Sequence, residues 1–120
     1  LLERGVVPQR QPFVLYVLGR YTVGQFSEPS DLLPMLEAAR GCDWHWSVCA
    51  FGARENACAL TAAALGGHAR VGFENNLLLA DGTTAPDNAA LVAQLVAGAR
   101  LLGREVADAH QARRLLGMAS

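Results

Sequence analysis

Three short and almost continuously apolar segments alternate along the chain with longer segments whose apolar residues recur at helical spacing. The predicted strands, rich in β-branched and aromatic residues, cover residues 12–19, 44–51 and 68–73. The predicted helices cover residues 30–40, 54–65, 88–102 and 108–116. This β-α-β-α-β-α-α order is typical of parallel βαβ units, and it predicts an α/β fold.

The helix ends carry recognisable signals. Ser30 is the predicted N-cap of the first helix, and Pro34 still lies in its first turn, where a missing N–H matters little. Gly66 and Gly67 end the second helix, and Gly103 ends the third. These capping and terminating residues therefore indicate the same helix boundaries as the apolar spacing.

The predicted sheet is small for an independent domain. Three parallel strands need cover on both faces, and such a sheet is rarely an independent domain. The chain has 120 residues, which is at most one domain by length. The chain either forms a small doubly wound sheet or is part of a larger fold. The order of its elements alone does not distinguish these two possibilities.

Charge, apolar run length and cysteine spacing limit the classes of binding partner and the location that are expected. The formal net charge is −1, without the basic stripe of nucleic-acid binders, so no nucleic-acid partner is expected. No apolar run approaches the roughly 20 residues that span a bilayer, and the first residues do not resemble a signal peptide, so no membrane partner is expected. The three cysteines lack C-x-x-C spacing, which favours a reducing, cytoplasmic location over a disulfide framework.

The densest polar cluster, residues 70–76, follows the third predicted strand. Active sites of α/β proteins gather where parallel strands end. If the strand continues, alternation puts Arg70, Gly72 and Glu74 on one face. The arginine could then position a substrate carboxylate and the glutamate could bind a metal. Equally, the two could form a salt bridge that closes the strand end.

Other candidates are weaker. His68 points the same way as Arg70 and could be a metal ligand or a base, although a strand-entry residue is the commoner role. His45 and His110 are interpreted as structural or surface residues. Arg54 follows a strand and could meet an anionic ligand or simply be solvated in its loop.

The run from Gly66 to Leu77, GGHARVGFENNL, resembles the G-G-H-x-R-V-G-x-E-D-N signature of the β-keto acid cleavage enzymes. The resemblance continues through residues 81–92 and 102–117, and it covers nearly the whole chain. Its most specific part is residues 66–92.

The resemblance implies a fold and an activity. The family's members are (β/α)8 TIM barrels with a catalytic zinc ion, and they form homo-oligomers. They exchange an acyl group between a β-keto acid and acetyl-CoA, which gives acetoacetate and a new CoA thioester. Residues 1–120 are therefore expected to be a partial TIM-barrel domain, the C-terminal portion with about strands six to eight. The best-known activity in the family is 3-keto-5-aminohexanoate cleavage.

The resemblance also assigns roles to residues. Glu74 matches the zinc-ligating glutamate, and Arg70 matches the arginine that assists the catalytic base. That base is the aspartate of E-D-N, and Asn75 stands in its place. An amide cannot accept a proton near neutral pH, so Asn75 can orient a substrate but cannot act as a general base. The family's two other zinc ligands, an H-x-H pair, are absent from this chain.

These departures leave more than one hypothesis open. The leading one is a zinc-dependent acyltransferase in the full-length protein, with this chain inactive by itself. The second is a non-catalytic truncated or assembly protein that keeps the packing residues of the barrel. The third, a small flavodoxin-like binding domain, would need a phosphate-binding first loop that the sequence lacks.

Overall fold

Three parallel strands form the sheet in this computed structural model, which describes residues 4–5, 12–19 and 27–118. The strands are β1 (Val14–Leu18), β2 (Trp46–Ala50) and β3 (His68–Ala69). They lie in the order β1-β2-β3, so each strand pairs with its neighbour in sequence through a parallel crossover. The predicted parallel α/β arrangement is confirmed.

Four α-helices accompany the sheet within the described ranges. They are α1 (Leu32–Ala38), α2 (Glu55–Ala64), α3 (Asn88–Leu101) and α4 (Ala109–Leu115). Each lies within a few residues of its predicted position. None of these helices is long and apolar enough to pass through a bilayer.

The start of the first helix differs from the prediction. A turn of 3-10 helix, Pro29–Asp31, precedes α1, and the backbone N–H of Glu28 donates to Asp31 Oδ2 at 2.9 Å. Ser30 therefore lies inside the helical turn and does not cap it. The fixed φ of Pro29 suits the first position of a helical turn, which explains the earlier start.

The core lies on one face of the sheet. Leu18, Val48 and Ala50 point to the face where α1 and α2 pack, and Leu32 and Cys58 from those helices complete the same cluster. All five are almost fully buried. Burial of these apolar side chains is the main stabilising contribution of this layer.

The opposite face of the sheet has exposed apolar side chains along β1. Phe13, Leu15 and Val17 remain 47%, 37% and 44% exposed although they belong to β1 or precede it. In β2 the alternating position Cys49 shares this face with Leu15 and Val17. Ser47 and Cys49 of β2 are buried on this face, so the part left open lies along β1, whereas a parallel sheet normally has both faces covered.

The third helix packs closely on the second. A Cβ added at Gly98 of α3 would lie 2.6 Å from Leu60 Cδ2 of α2, so the absence of a side chain permits this approach. Asp87 starts α3 by accepting a hydrogen bond from the backbone of Ala90 at 2.8 Å. The two helices are thereby held side by side behind the sheet.

Arg104 closes the junction between α2 and β3. Its Nη1 atom donates to the carbonyl of Ala63 at 2.6 Å and to the carbonyl of Gly67 at 3.2 Å. The last carbonyls of a helix have no partner within the helix. The Arg104 guanidinium, in the segment after α3, donates to a carbonyl at the end of α2 and so links α2 to α3.

We expect Arg104→Ala to lower the free energy of unfolding by about 1.5–3 kcal/mol, since charge-assisted hydrogen bonds to two carbonyls are lost. Urea denaturation of the purified protein measures this. Arg100→Ala is the matched control, because Arg100 is exposed in the last turn of α3. Equal urea midpoints for the two variants would contradict the linking role of Arg104.

Candidate functional site

The polar cluster lies on a tight turn at the carboxyl edge of the sheet. The backbone of Arg70 still donates to Val48 at 2.9 Å, but the chain then turns at Gly72, whose φ is +157°. The backbone N–H groups of Asn75 and Asn76 both donate to the Gly72 carbonyl at 3.1 Å. We call residues 72–76 the site turn.

The predicted strand through residue 73 is therefore wrong. The strand β3 ends at Ala69 because Gly72 leaves the extended conformation and the following N–H groups bond within the turn. Strand alternation does not place Arg70 and Glu74 on one face. They meet across the turn instead, with Arg70 Nη2 3.5 Å from Glu74 Oε2.

The Arg70 guanidinium is the centre of the cluster. Its Nη2 atom lies 3.4 Å from Asn75 Oδ1 and donates to the Sγ atom of Cys49 at 3.6 Å. Burial raises the pKa of the Cys49 thiol, so the neighbour beneath the guanidinium is a neutral group. Arg70, Glu74 and Asn75, which the motif singles out, thus lie together at one point.

The contact between Arg70 and Glu74 is a weak ion pair. Their side chains are 48% and 77% exposed, and such a pair contributes at most about 1 kcal/mol in water. The salt-bridge interpretation is geometrically correct, but it accounts for little stability. The Glu74 carboxylate and about half of the Arg70 side chain remain accessible to a ligand.

Asn75, in contrast, is only 2% exposed. Its backbone carbonyl accepts a hydrogen bond from Gly52 at 3.1 Å, which ties the turn to the end of β2. Its side-chain oxygen faces Arg70. An amide held in this way can orient a neighbour, but it has no basic atom for proton abstraction.

Glu55, which no motif in the sequence singles out, lies under the site turn. It begins α2, is 1% exposed, and accepts hydrogen bonds from the Gly72 backbone and from Asn76 Nδ2, both at 3.2 Å. Its position gave a usable signal: an acidic residue a few positions after a parallel strand lies at the same edge as the next strand's end.

Burial raises the pKa of Glu55, while the hydrogen bonds from Asn76 and Gly72 partly oppose that shift. A raised folded-state pKa means that the folded protein binds a proton more readily than the unfolded chain. Stability therefore falls as pH rises from the ordinary pKa of 4.5 toward the raised value, and the loss persists above it.

We expect the Glu55→Gln variant to lack the pH-dependent contribution that Glu55 makes to the free energy of unfolding. The difference in unfolding free energy between wild type and Glu55→Gln should shift in favour of wild type as pH is lowered through that window. Urea titrations at several pH values measure it. A difference that does not change with pH would contradict a buried, ionisable Glu55.

The ends of β1 and β2 are joined beside this site. Ser27 is fully buried, and its hydroxyl accepts from the Phe51 backbone at 3.0 Å while donating to the Leu18 carbonyl. The candidate Arg54 lies nearby, 3.6 Å from the Glu28 carboxylate and half exposed. This ion pair favours the solvated-loop interpretation of Arg54.

The histidines lie elsewhere. His45 and His68 meet at the amino-terminal end of the sheet, where His68 Nε2 is 3.4 Å from His45 Nδ1 and its ring stacks on Phe13. Burial, then His45, then Arg104 lower the pKa of His68. The strand-entry interpretation of His68 agrees with this position.

The described residues do not make a metal site by themselves. Within them, no three histidine, cysteine, aspartate or glutamate side chains converge. Glu74 offers one exposed carboxylate. A structural or catalytic zinc ion needs at least three protein ligands, so Glu74 would require ligands from outside the described ranges.

Comparisons with known proteins agree with one another. A model of the β-keto acid cleavage enzyme family matches residues 1–118. A 3-keto-5-aminohexanoate cleavage enzyme from Fusobacterium nucleatum is 33% identical, over 98% of this chain and 50% of its own length. One of the same name from Acetoanaerobium sticklandii is 34% identical, over 92% and 39%.

A 3-oxoadipate:acetyl-CoA acetyltransferase from Cupriavidus necator is 44% identical, over 65% of this chain and 28% of its own length. The chain spans about half or less of the length of the curated relatives it matches. The family model, in contrast, accounts for almost every residue of the chain. The chain therefore belongs to the β-keto acid cleavage enzyme family.

Proposed function

We propose that the full-length protein exchanges an acyl group between a β-keto acid and acetyl-CoA, giving acetoacetate and a new CoA thioester. The observation that carries this proposal is the meeting of Arg70, Glu74 and Asn75 at the carboxyl edge of a parallel sheet in a member of this family. That edge is where α/β enzymes place their active sites.

The names of the relatives support the class of substrate. Two are named for cleavage of 3-keto-5-aminohexanoate and one for transfer between 3-oxoadipate and acetyl-CoA. Both acids carry a keto group at the third carbon. A β-keto acid as substrate and acetyl-CoA as co-substrate are therefore the proposed small-molecule partners.

Arg70 is proposed to stabilise negative charge on the reacting acid. Its guanidinium is half exposed and held from one side by Asn75 and Cys49, so its direction is set before a ligand arrives. A preorganised cation at a site of developing charge lowers the barrier more than a mobile one. Asn75 orients this group and the bound acid but takes no proton.

Glu74 is proposed as one ligand of a zinc ion. Its exposed carboxylate at the sheet edge fits that role, and the remaining ligands would come from outside the described residues. When bound, zinc would act as a Lewis acid that polarises the keto group of the substrate.

The exposed apolar side chains of β1 support a larger fold. We propose that the chain forms the C-terminal part of a (β/α)8 barrel, about strands six to eight, with its helices on the outer side. The helices cover one face, while Leu15 and Val17 on the other would face the barrel interior. Side chains of parallel strands fill such an interior in layers.

The proposed setting follows from the same relationship. We propose a homo-oligomeric, cytoplasmic enzyme. Cys42, Cys49 and Cys58 are free thiols, as is usual in a reducing compartment.

The test is a product assay on the purified full-length protein. Incubated with acetyl-CoA and a panel of β-keto acids, it should form acetoacetate and a new CoA thioester in equal amounts. A chelator should abolish the reaction, and zinc should restore it. A zinc-loaded protein that consumes none of the acids would overturn the proposed function.

A second candidate is a non-catalytic truncated or assembly protein. It is favoured by Asn75, which replaces the expected base, and by the lack of converging metal ligands within the described residues. It predicts a stably folded protein that binds no zinc stoichiometrically. Metal analysis of the full-length protein separates the two, since the enzyme should hold about one zinc ion per chain.

A further inference from the structure

We infer that Glu55 is a positioning residue, which sets the geometry of the site turn and thereby the placement of Glu74 and Asn75. Neither the family relationship nor the motif assigns it a role. The inference deepens the proposed function and rests on it, because the turn matters for activity only if the protein is the proposed acyltransferase.

The first step is that one side chain reaches both ends of the turn. Glu55 Oε2 accepts from the backbone N–H of Gly72, and Oε1 accepts from Asn76 Nδ2, each at 3.2 Å. Gly72 is the first residue of the turn and Asn76 the last. Glu74 and Asn75 lie between them. The Glu55 carboxylate therefore fixes the separation of the two ends of the segment that carries these side chains.

The second step concerns the type of group required. Both partners are N–H donors, and they bind different oxygens of Glu55, so this geometry uses two acceptor atoms. An ionised carboxylate has them, whereas glutamine of the same shape has one acceptor and one competing donor. The structure thus needs Glu55 itself at this position.

Burial of the Glu55 carboxylate has a free-energy cost. Glu55 is 1% exposed, and burial of a carboxylate is unfavourable unless its partners compensate. An apolar residue at the start of α2 would pack there at less cost. Burying a charged group under a turn that bears the exposed Glu74 is the pattern expected where geometry, not stability, is at stake.

Other hydrogen bonds hold the site turn together with those of Glu55. The backbone of Phe73 donates to Asn88 Oδ1 at 2.8 Å, and the carbonyl of Asn75 accepts from Gly52. The turn is thus held from α2, α3 and the end of β2. Among these supports, Glu55 alone provides a charged acceptor within the described residues.

The experiment compares Glu55→Gln with Cys58→Ala in the full-length protein. Cys58 lies one turn further along α2 and is fully buried, but it packs into the core away from the site turn. Hydrogen exchange of peptides covering residues 70–78 and 46–50 is measured together with kcat and the melting temperature.

We expect Glu55→Gln to speed exchange at residues 70–78 without speeding it at residues 46–50. We also expect kcat to fall by about 10- to 100-fold, as for groups that orient a reacting residue. The melting temperature should stay near that of wild type, since a buried charge is removed along with a hydrogen bond. Cys58→Ala should lower the melting temperature and leave kcat within a few-fold.

Two results would overturn the inference: unchanged exchange at residues 70–78, or a fall in kcat no greater than that of Cys58→Ala. Failure of the proposed function looks different, because wild type would then turn over no β-keto acid. In that event the exchange measurement decides whether Glu55 positions the turn.

Discussion

The Asn75→Asp variant of the full-length protein is expected to turn over its β-keto acid about 10²- to 10⁴-fold faster than wild type, the usual contribution of a positioned general base. The proposed reaction needs a group that removes a proton from the carbon between the keto and carboxylate groups. An amide cannot do this, and the resemblance places an aspartate at this position in the family.

The surroundings of residue 75 suit a carboxylate. Arg70 Nη2 lies 3.4 Å from Asn75 Oδ1, and a guanidinium at that distance favours the ionised form of an aspartate. This interaction would oppose the rise in pKa that burial at this position causes in a carboxyl group. Steady-state kinetics with Asn75→Ala as the matched control measures the effect, since alanine removes the amide without adding a base. An aspartate variant no faster than wild type would show that another group is the base.

The Glu74→Gln variant is expected to lose most of its zinc and to reduce kcat by about 100-fold or more. Glutamine keeps the shape of glutamate but is a poor zinc ligand, because it carries no charge. Removing one partner of the exposed ion pair with Arg70 should cost at most about 1 kcal/mol of stability. The loss should therefore appear in metal content and rate, with little change in unfolding.

Glu37→Gln is the matched control. Glu37 is also exposed and pairs with an arginine, Arg40, at 2.8 Å, but it lies on α1 away from the site turn. Both variants remove one carboxylate and one exposed ion pair. Zinc content by atomic absorption and kcat should be unchanged in Glu37→Gln. Zinc content and turnover that are undiminished in Glu74→Gln would rule out the ligand role.

The order of strands and helices could be predicted from the sequence because it depends on local patterns. Apolar runs and helical spacing located the described strands and helices, and the glycines after α2 and α3 marked their ends. The boundaries were less predictable. Pro29 starts a helical turn before Ser30. Strand β3 ends at Ala69, four residues earlier than the apolar pattern of residues 68–73 indicates, because the chain turns at Gly72.

The candidate site was predictable in part. Arg70, Glu74 and Asn75 stand close together in the sequence, so a motif could single them out, although the face argument that joined the first two was wrong. The contact of Glu55 with Gly72 and Asn76 spans 17 and 21 residues and depends on the packing of α2 under the turn. A local pattern places Glu55 at this edge of the sheet, but it does not say which residues the side chain contacts.

Acyl exchange leaves a distinctive isotope pattern in both products, so a labelling measurement tests the proposed activity. Acetyl-CoA with an isotope label in both acetyl carbons is incubated with the zinc-loaded full-length protein and an unlabelled β-keto acid, and the products are separated by mass spectrometry. In acyl exchange the labelled acetyl group joins the two-carbon carboxylate unit of the acid, while the rest of the acid passes to CoA. We predict labelled acetoacetate and an unlabelled new CoA thioester. Unlabelled acetoacetate, or labelled acetate without a new thioester, would contradict the account.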